Sequence, residues 1–180
     1  MVNKESRIYL RELDTADAGE LLELNRTNRE IFEGITPAVH DDSFYTLDAQ
    51  VKLIEGWKQA RENGSRHDFG IFETQTNNLI GSIGLYRFGL AEKCVLGYSL
   101  DKDHHGKGYA TEAVRLILDY AFKEVGIHRI EAGVMPRNIG SARVLEKAGF
   151  VREGLARDYI KIKGIWEDHY MFSMLETDSY

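Results

Sequence analysis

The most informative stretch of this sequence is Asp103-His104-His105-Gly106-Lys107-Gly108-Tyr109-Ala110. It follows a strand predicted over Lys93–Leu100 and precedes the helix with the strongest periodicity in the chain. The two glycines allow the backbone to turn sharply and to approach a ligand closely. The first N–H groups of a helix have no partner within it, and the helix dipole is positive at that end. The stretch therefore predicts a phosphate or pyrophosphate site between a strand and a helix.

Two commoner phosphate motifs do not fit this stretch. A P-loop requires Gly-x-x-x-x-Gly-Lys-[Ser/Thr], and the spacing of Gly106 and Gly108 is different. A dinucleotide-binding fingerprint requires Gly-x-Gly-x-x-Gly/Ala, but the last position is Thr111 and no early βαβ unit is predicted. A plain strand-to-helix connection is the alternative that the glycines alone leave open.

Downstream of the turn, the pattern predicts helices alternating with strands. A helix begins near Tyr109, carries one apolar stripe at helical spacing, and ends at Gly126. After it we expect the strand Arg129–Met135, the helix Ile139–Ala148 with a Schellman stop at Gly149-Phe150, and a hairpin of Val151–Ile162 and Ile165–Leu175.

Upstream, helices come first and strands follow consecutively. Asp14 is an expected N-cap for a helix that continues to about Phe32. The other expected elements are a strand over Arg7–Leu13, a loop over Gly34–Tyr45, a helix over Leu47–Glu62, strands over His67–Thr74 and Leu79–Phe88, and a turn over 89–92. The order βααβββαβαββ predicts an α/β (α+β) fold with a mixed sheet.

Length and composition are those of one ordinary globular domain covering residues 1–180. The chain is 43% hydrophobic and 29% charged, and no run of apolar residues is long enough for a membrane span. Residues 1–7 lack the apolar region of a secretory signal, and Cys94 is the single cysteine, expected as a buried strand residue. These features favour the cytoplasm. The net charge of −6, without a basic run, makes a nucleic-acid partner unexpected.

Three segments together resemble one enzyme superfamily. Residues His105 to Ala110 resemble the [Gln/Arg]-x-x-Gly-x-[Gly/Ala] segment of the GCN-five-related N-acetyltransferase (GNAT) superfamily, with His in place of Gln or Arg. Leu96-Gly97-Tyr98-Ser99-Leu100 resembles the strand that precedes it there. The segment 138–150 resembles Asn-x-x-Ser-x-x-x-x-Glu-Lys-x-Gly-Phe of the ribosomal-protein (Rim-type) branch. The resemblance covers nearly the whole chain.

The resemblance implies a single-domain GNAT fold, a cosubstrate and its binding residues. A strongly twisted sheet would splay between the strands Lys93–Leu100 and Arg129–Met135 and admit the pantetheine arm of acetyl-CoA. Backbone N–H groups of the turn would hold the pyrophosphate. The implied acetyl-CoA-binding residues are Ser99, Leu100, His105, Gly106, Lys107, Gly108, Tyr109, Ala110 and Asn138. Arg143 and Lys147 could reach the 3′-phosphate of CoA or form a solvated helix face.

The resemblance also implies Ser141 as the catalytic acid. Many relatives place a tyrosine near the CoA sulfur, but the matching position here is Leu145. The Rim-type branch instead has a serine, proposed to serve the thiolate, at the place of Ser141. A local alternative is that Asn138 and Ser141 are the N-cap and N3 residues of a helix.

The sequence leaves the catalytic base open. Glu33, Asp158 and Glu131 are candidates by chain region only, and a bound water is another. The branch often has Glu in an Ala-Glu-Ile-Gly-Tyr pattern, where this chain has Val95. Metal is not expected, because His104 and His105 have no third ligand at a recognisable spacing. The aromatic residues expected in the core or a pocket wall are Tyr98, Trp57 and Trp166.

Three functions remain at this stage. The first is acetylation of an N-terminal α-amine on a ribosomal or other protein, and the second is acetylation of a small amine such as a polyamine, amino acid or antibiotic. Where the Rim-type branch tends to carry Trp-Leu-Pro-Trp, residues 34–39 keep only the proline, which weakens the ribosomal assignment. The third is a CoA-binding sensor without catalysis. The resemblance further implies a homodimer.

Overall fold

The computed structural model describes residues 6–38, 40–86, 88 and 92–180. Residues 89–91 of the expected turn and Val39 of the expected loop lie outside these ranges. The helices are α1 Ala18–Thr27, α2 Arg29–Glu33, α3 Leu47–Glu62, α4 Tyr109–Tyr120 and α5 Ile139–Lys147. The strands are β1 Ile8–Arg11, β2 Arg66–Glu73, β3 Leu79–Tyr86, β4 Lys93–Leu100, β5 Arg129–Val134, β6 Val151–Ile162 and β7 Ile165–Leu175.

Seven strands form one mixed sheet in the order β1-β2-β3-β4-β5-β7-β6. All neighbours are antiparallel except β4 and β5, which are parallel. This parallel pair joins only Lys93 to Arg129, Cys94 to Ile130 and Val95 to Glu131, and among the described residues the pairing then stops. The second half of β4 therefore leaves β5, which confirms the mixed sheet and the splay expected between these strands.

Helices cover both faces of the sheet. Helix α4 buries Val114, Ile117 and Leu118 completely in a core that it shares with α5 and the centre of the sheet. Helices α1 and α3 pack Leu21 and Ile54 against the other face. Burying one such aliphatic side chain contributes about 1.5–3 kcal/mol, so the apolar stripe of α4 anchors the turn that precedes it.

The first predicted helix is interrupted, and this corrects the expectation of one helix to Phe32. Asp14 does act as a cap, but of a 3₁₀ turn at Thr15–Asp17. Helix α1 then ends at Thr27, and its C-cap residue Asn28 is 1% exposed. The amide nitrogen of Asn28 donates to Asp101, and its oxygen accepts from the Lys102 N–H. These bonds tie the helix break to the turn after β4.

Most other boundaries are as expected. Helix α3 and strands β4, β6 and β7 match their predicted ranges, and α4 begins at Tyr109. Several ends differ by one to three residues, as helix and strand ends often do: β1 is shorter than Arg7–Leu13, β2 is Arg66–Glu73, β3 ends at Tyr86, β5 at Val134 and α5 at Lys147. The end of the long helix is a π turn over Ala121–Val125. The expected loop 34–45 contains a 3₁₀ turn at Asp42–Tyr45.

Three smaller expectations have clear outcomes. The Schellman stop is confirmed: the Phe150 N–H donates to the Leu145 carbonyl, and Gly149 has φ +96°. Cys94 is 1% exposed, and burial raises the pKa of its thiol to about 12. Trp166 was expected in the core or a pocket wall, which is wrong: it is 57% exposed near the tip of the terminal hairpin. In the described ranges, no helix combines the length and apolarity needed to cross a bilayer.

Candidate active site

The turn between β4 and α4 presents free backbone N–H groups. Gly106 and Gly108 both adopt left-handed conformations, with φ +74° and +87°. Among the described residues, no acceptor takes the N–H of Gly106, Lys107 or Gly108. The N–H groups of Tyr109 and Ala110 follow in the first turn of α4, where a helix offers no partner. Five successive donors at the positive end of a helix fit an anionic pyrophosphate.

Contacts of Arg7, the residue before β1, stabilise this turn from outside. The Arg7 guanidinium donates to the Lys107 carbonyl at 2.9 Å and lies 4.8 Å from the centre of the Tyr109 ring. It also forms an ion pair with Glu112 at 3.1 Å. The Tyr109 hydroxyl donates to Glu73 at 2.9 Å. No local sequence pattern indicates the contacts of Arg7, because Lys107 and Glu112 lie about a hundred residues away along the chain.

The two histidines of the turn make separate contacts. His105 Nε2 donates to the Leu100 carbonyl at 2.9 Å, so the ring is directed at the end of β4. His104 Nδ1 lies 2.8 Å from Asp101, the carboxylate that also accepts from Asn28. In the described part of the chain, no group of three His, Cys, Asp or Glu residues could hold a metal ion.

A groove of about 740 Å³ runs from the turn along the free half of β4 toward α5 and β7. The implied acetyl-CoA residues that border it are Ser99, Leu100, His105, Gly106, Gly108, Tyr109, Ala110 and Asn138. Ser141, Arg143 and Lys147 border it as well. Lys107 does not border the described groove, and its carbonyl is held by Arg7. The structure thus brings together all but one of these predicted residues.

A second cavity of about 420 Å³ lies on the other face of the sheet, under α1, α2 and α3. Its charged lining residues are Glu33, Arg66 and Asp68, and Trp57 forms part of its wall as expected. The two cavities share the residues Phe32, Ile35, Tyr86, Gly97, Tyr98 and Ser99. They therefore meet at the middle of β4, where this strand leaves β5.

Ser141 stands at this junction beside Tyr98. The Ser141 Oγ lies 2.8 Å from the Tyr98 hydroxyl oxygen, which is also 3.2 Å from the Ser141 carbonyl oxygen. Burial raises the pKa of Tyr98 to about 12, so this phenol stays neutral at pH 7. Asn138 caps α5 by accepting the Ser141 N–H at 3.1 Å, as the local alternative expected. The cap uses only the backbone of Ser141, and its hydroxyl remains at the groove.

The carboxylates considered from the sequence differ in position. Glu33 borders the second cavity, but hydrogen bonds from Tyr45 and Arg29 hold the pKa of this carboxyl below its usual range. Glu131 is bound to Arg129 at the paired end of β5, and Asp158 lies in an irregular part of β6. Neither borders the two cavities that the described residues form.

Asp68 borders the second cavity and was not singled out from the sequence. Its carboxyl is almost fully buried; burial raises its pKa, while the Arg66 guanidinium, 2.7 Å away, opposes that rise. Its position in an ordinary strand pattern carries no signal of this environment.

Comparison with known proteins decides the family. The profile described as "Acetyltransferase (GNAT) domain" matches residues 7–151. The chain belongs to the GNAT acetyltransferase family. It is similar to "Probable N-acetyltransferase YjcK" of Bacillus subtilis (strain 168), with 48% identity over 177 residues that cover 97% of both chains. The GNAT fold and the acyltransferase class expected from the sequence are thereby confirmed.

Two further relatives support the Rim-type branch of the GNAT family. The "[Ribosomal protein uS5]-alanine N-acetyltransferase" of Escherichia coli (strain K12) is 31% identical over 175 residues, which cover 96% of this chain and 89% of that protein. The structure of Mycobacterium smegmatis RimJ in complex with CoA-disulfide superposes with a TM-score of 0.87 at 26% identity. The match covers 93% of this chain and 81% of RimJ.

Proposed function

We propose that this N-acetyltransferase transfers acetyl directly from acetyl-CoA to an N-terminal α-amine of a ribosomal or other protein. The observation that carries the proposal is the meeting of two cavities at Tyr98 and Ser99, where β4 leaves β5. A direct transfer requires two substrates to approach one carbonyl carbon from separate sites. Holding both in that arrangement is the main contribution expected of the protein.

Acetyl-CoA suits the groove because successive lining residues match its pyrophosphate, its pantetheine arm and its 3′-phosphate. The pyrophosphate would lie on the N–H groups from Gly106 to Ala110, and His105 would shape the turn through its bond to β4. The pantetheine arm would lie along Ser99 and Leu100, on the side of β4 that β5 leaves unpaired. Arg143 and Lys147 would approach the 3′-phosphate. The CoA-disulfide in the RimJ complex supports this choice of cosubstrate.

The transfer is an addition followed by an elimination. The amine nitrogen attacks the thioester carbonyl carbon, and the C–S bond then breaks so that sulfur leaves as a thiolate. The Ser141 hydroxyl would donate a proton to this sulfur, with the Tyr98 hydroxyl holding the serine oxygen at 2.8 Å. A positioned proton donor of this kind contributes about 10²–10⁴-fold to rate.

Similarity to the uS5-alanine N-acetyltransferase supports a protein N-terminus as the acceptor. The second cavity favours another candidate, a small amine. It is a compact space of about 420 Å³ lined by aromatic walls, two carboxylates, Glu33 and Asp68, and the Arg66 guanidinium that pairs with Asp68. The net negative charge of these lining residues suits a compact cation. Residues 35–38 border the cavity and include no tryptophan.

The test is free-thiol release from acetyl-CoA with N-terminal peptides of ribosomal proteins and with a panel of polyamines, amino acids and aminoglycosides. Release that depends on the peptides supports the first acceptor class, and release that depends on small amines selects the second. Acetyl-CoA binding without release on any acceptor would contradict the proposed reaction and favour the CoA-binding sensor.

We further propose that residues 1–180 act as one domain, in the cytoplasm and as a homodimer. The resemblance to the GNAT family motivates the dimer. Light scattering during size-exclusion chromatography would give a mass near twice 20.6 kDa if this holds.

A further inference from the structure

One buried titratable residue beside the groove has no role in the reaction described so far. His169 lies on β7 and is 4% exposed. Its Nδ1 atom is 3.0 Å from the Glu167 carbonyl oxygen. Because a carbonyl only accepts, Nδ1 carries the proton, and Nε2 of the neutral ring carries a free lone pair.

The Nε2 atom is open to solvent. Among the described residues, none forms a hydrogen bond with Nε2. Every fully buried side-chain nitrogen or oxygen atom of these residues does have a hydrogen-bond partner. Nε2 therefore keeps contact with solvent although the residue is nearly buried. The solvent space that His169 borders is the groove that also contains Ser141 and Tyr98.

Strand alternation places His169 on the acceptor side of the sheet. Phe172 points into the core under α4 and α5, so His169, three positions away on β7, points to the opposite face. On β4, Leu100 points into that same core, so Ser99 points to the face of the second cavity. Gly133 of β5 leaves the edge of the imidazole uncovered, since a Cβ there would lie 3.5 Å from His169 Cδ2.

We propose that His169 is the catalytic base that accepts the proton of the acceptor amine. The inference deepens the proposed acetyl transfer and rests on it. As the new C–N bond forms, a proton passes from the amine nitrogen to Nε2. The C–S bond breaks, and the sulfur takes a proton from Ser141. The imidazolium then releases its proton to water, and Ser141 regains one from water, so the protein returns to its starting state.

The groups around the imidazole allow this role. The Tyr159 ring on β6 lies 5.5 Å away, and the Glu167 carboxylate is engaged by Arg137 at 2.5 Å. On the same strand, Asp168 accepts the Asp158 N–H at 2.9 Å. Arg143 of α5 also borders the groove.

The test compares His169→Gln with the wild type and with His128→Gln. His128 is a half-exposed histidine that borders neither described cavity and serves as the matched control. We expect His169→Gln to lower kcat at least 100-fold with less than a threefold change in the Kd of acetyl-CoA, while His128→Gln keeps both. Wild-type kcat should fall toward acid pH as the base becomes protonated, and His169→Gln should lose this dependence. Added imidazole should partly restore His169→Ala.

Several outcomes would overturn the proposal. A His169→Gln enzyme within threefold of wild-type kcat would do so, as would an unchanged acid limb. If neither variant folds, the wild-type profile decides, since a kcat that stays flat from pH 8 to pH 5.5 excludes a histidine base. A wild type without turnover on any acceptor would refute the proposed function instead, so the two failures are distinguishable.

Discussion

Replacing Tyr98 with Phe tests how the junction of the two cavities works. The change removes one oxygen atom and leaves the ring that packs against the core. It abolishes the 2.8 Å contact with Ser141 Oγ, which fixes the direction of the serine hydroxyl. If Ser141 is the proton donor, its hydroxyl should then spend less time directed at the sulfur.

The expected loss follows from the strength of one hydrogen bond. A net value of about 0.5–1.5 kcal/mol corresponds to roughly a 2- to 13-fold decrease in kcat. Acetyl-CoA affinity should stay within a factor of two, because the ring still forms the wall of the groove. The Tyr170→Phe variant is a suitable control, since Tyr170 packs on the same core but borders neither described cavity.

The assay is a double-mutant cycle on kcat with Ser141→Ala. Tyr98→Phe should lower kcat when Ser141 is present and have no further effect when it is absent. An equal decrease in kcat in both backgrounds would exclude a role of Tyr98 in positioning Ser141, because Tyr98 would then act independently of it. Full activity of Ser141→Ala itself would remove the acid role from this serine.

Three further perturbations test the frame around the site. Gly108→Ala should cost about 1–2 kcal/mol of stability, because it places a side chain at φ +87°, and it should weaken acetyl-CoA binding in titration calorimetry. Gly106→Ala, with open space around its Cβ, should show the backbone cost alone. Equal losses of acetyl-CoA binding in the two variants would contradict this expectation. Leu118→Ala should lower the free energy of unfolding in urea by about 2–5 kcal/mol, because this side chain is fully buried, and a loss below 1 kcal/mol would contradict the packing. The hydrogen bond from Arg11 lowers the pKa of Asp17, so its stabilisation is present above the unfolded pKa near 3.9 and is lost as the pH falls through the folded pKa. The stability difference between wild type and Asp17→Asn should therefore be constant from pH 7 to pH 5 and shrink below about pH 4; a constant difference down to pH 2.5 would be the contrary result.

The sequence predicted the features that depend on neighbours along the chain. Helix α3, strand β4 and the start of α4 follow from apolar periodicity and glycine positions, which act over a few residues. The phosphate turn and the Asn138 cap belong to the same class, because each is a local backbone device. This is why the sequence alone could predict the glycine turn that borders the groove.

The features that escaped prediction depend on distant partners. The bond from Asn28 to Asp101 breaks the first helix, although residues 18–33 look continuously helical in sequence. Arg7 donates to the Lys107 carbonyl, although the two residues are 100 positions apart in the sequence. The strand pattern around Tyr98 does not indicate its contact with Ser141, because this contact depends on the position of α5. No periodic pattern reports such contacts, because they are created by packing between separate elements.

In the proposed reaction, the splay of β4 and β5 would also separate the acid from the base. Ser141 and Tyr98 would act from the side of α4 and α5, where the cosubstrate groove lies. His169 borders the same groove, but strand alternation directs its side chain to the other face of the sheet, from which it would act as the base. In an addition at a thioester, the incoming nitrogen and the departing sulfur are both bonded to the same carbon in the intermediate, so the groups that serve them must reach one point. A continuous sheet would keep the two faces apart, and a fully open one would not hold them in register. Pairing over three residues followed by separation would meet both needs, and the proposed reaction would take place where the pairing ends.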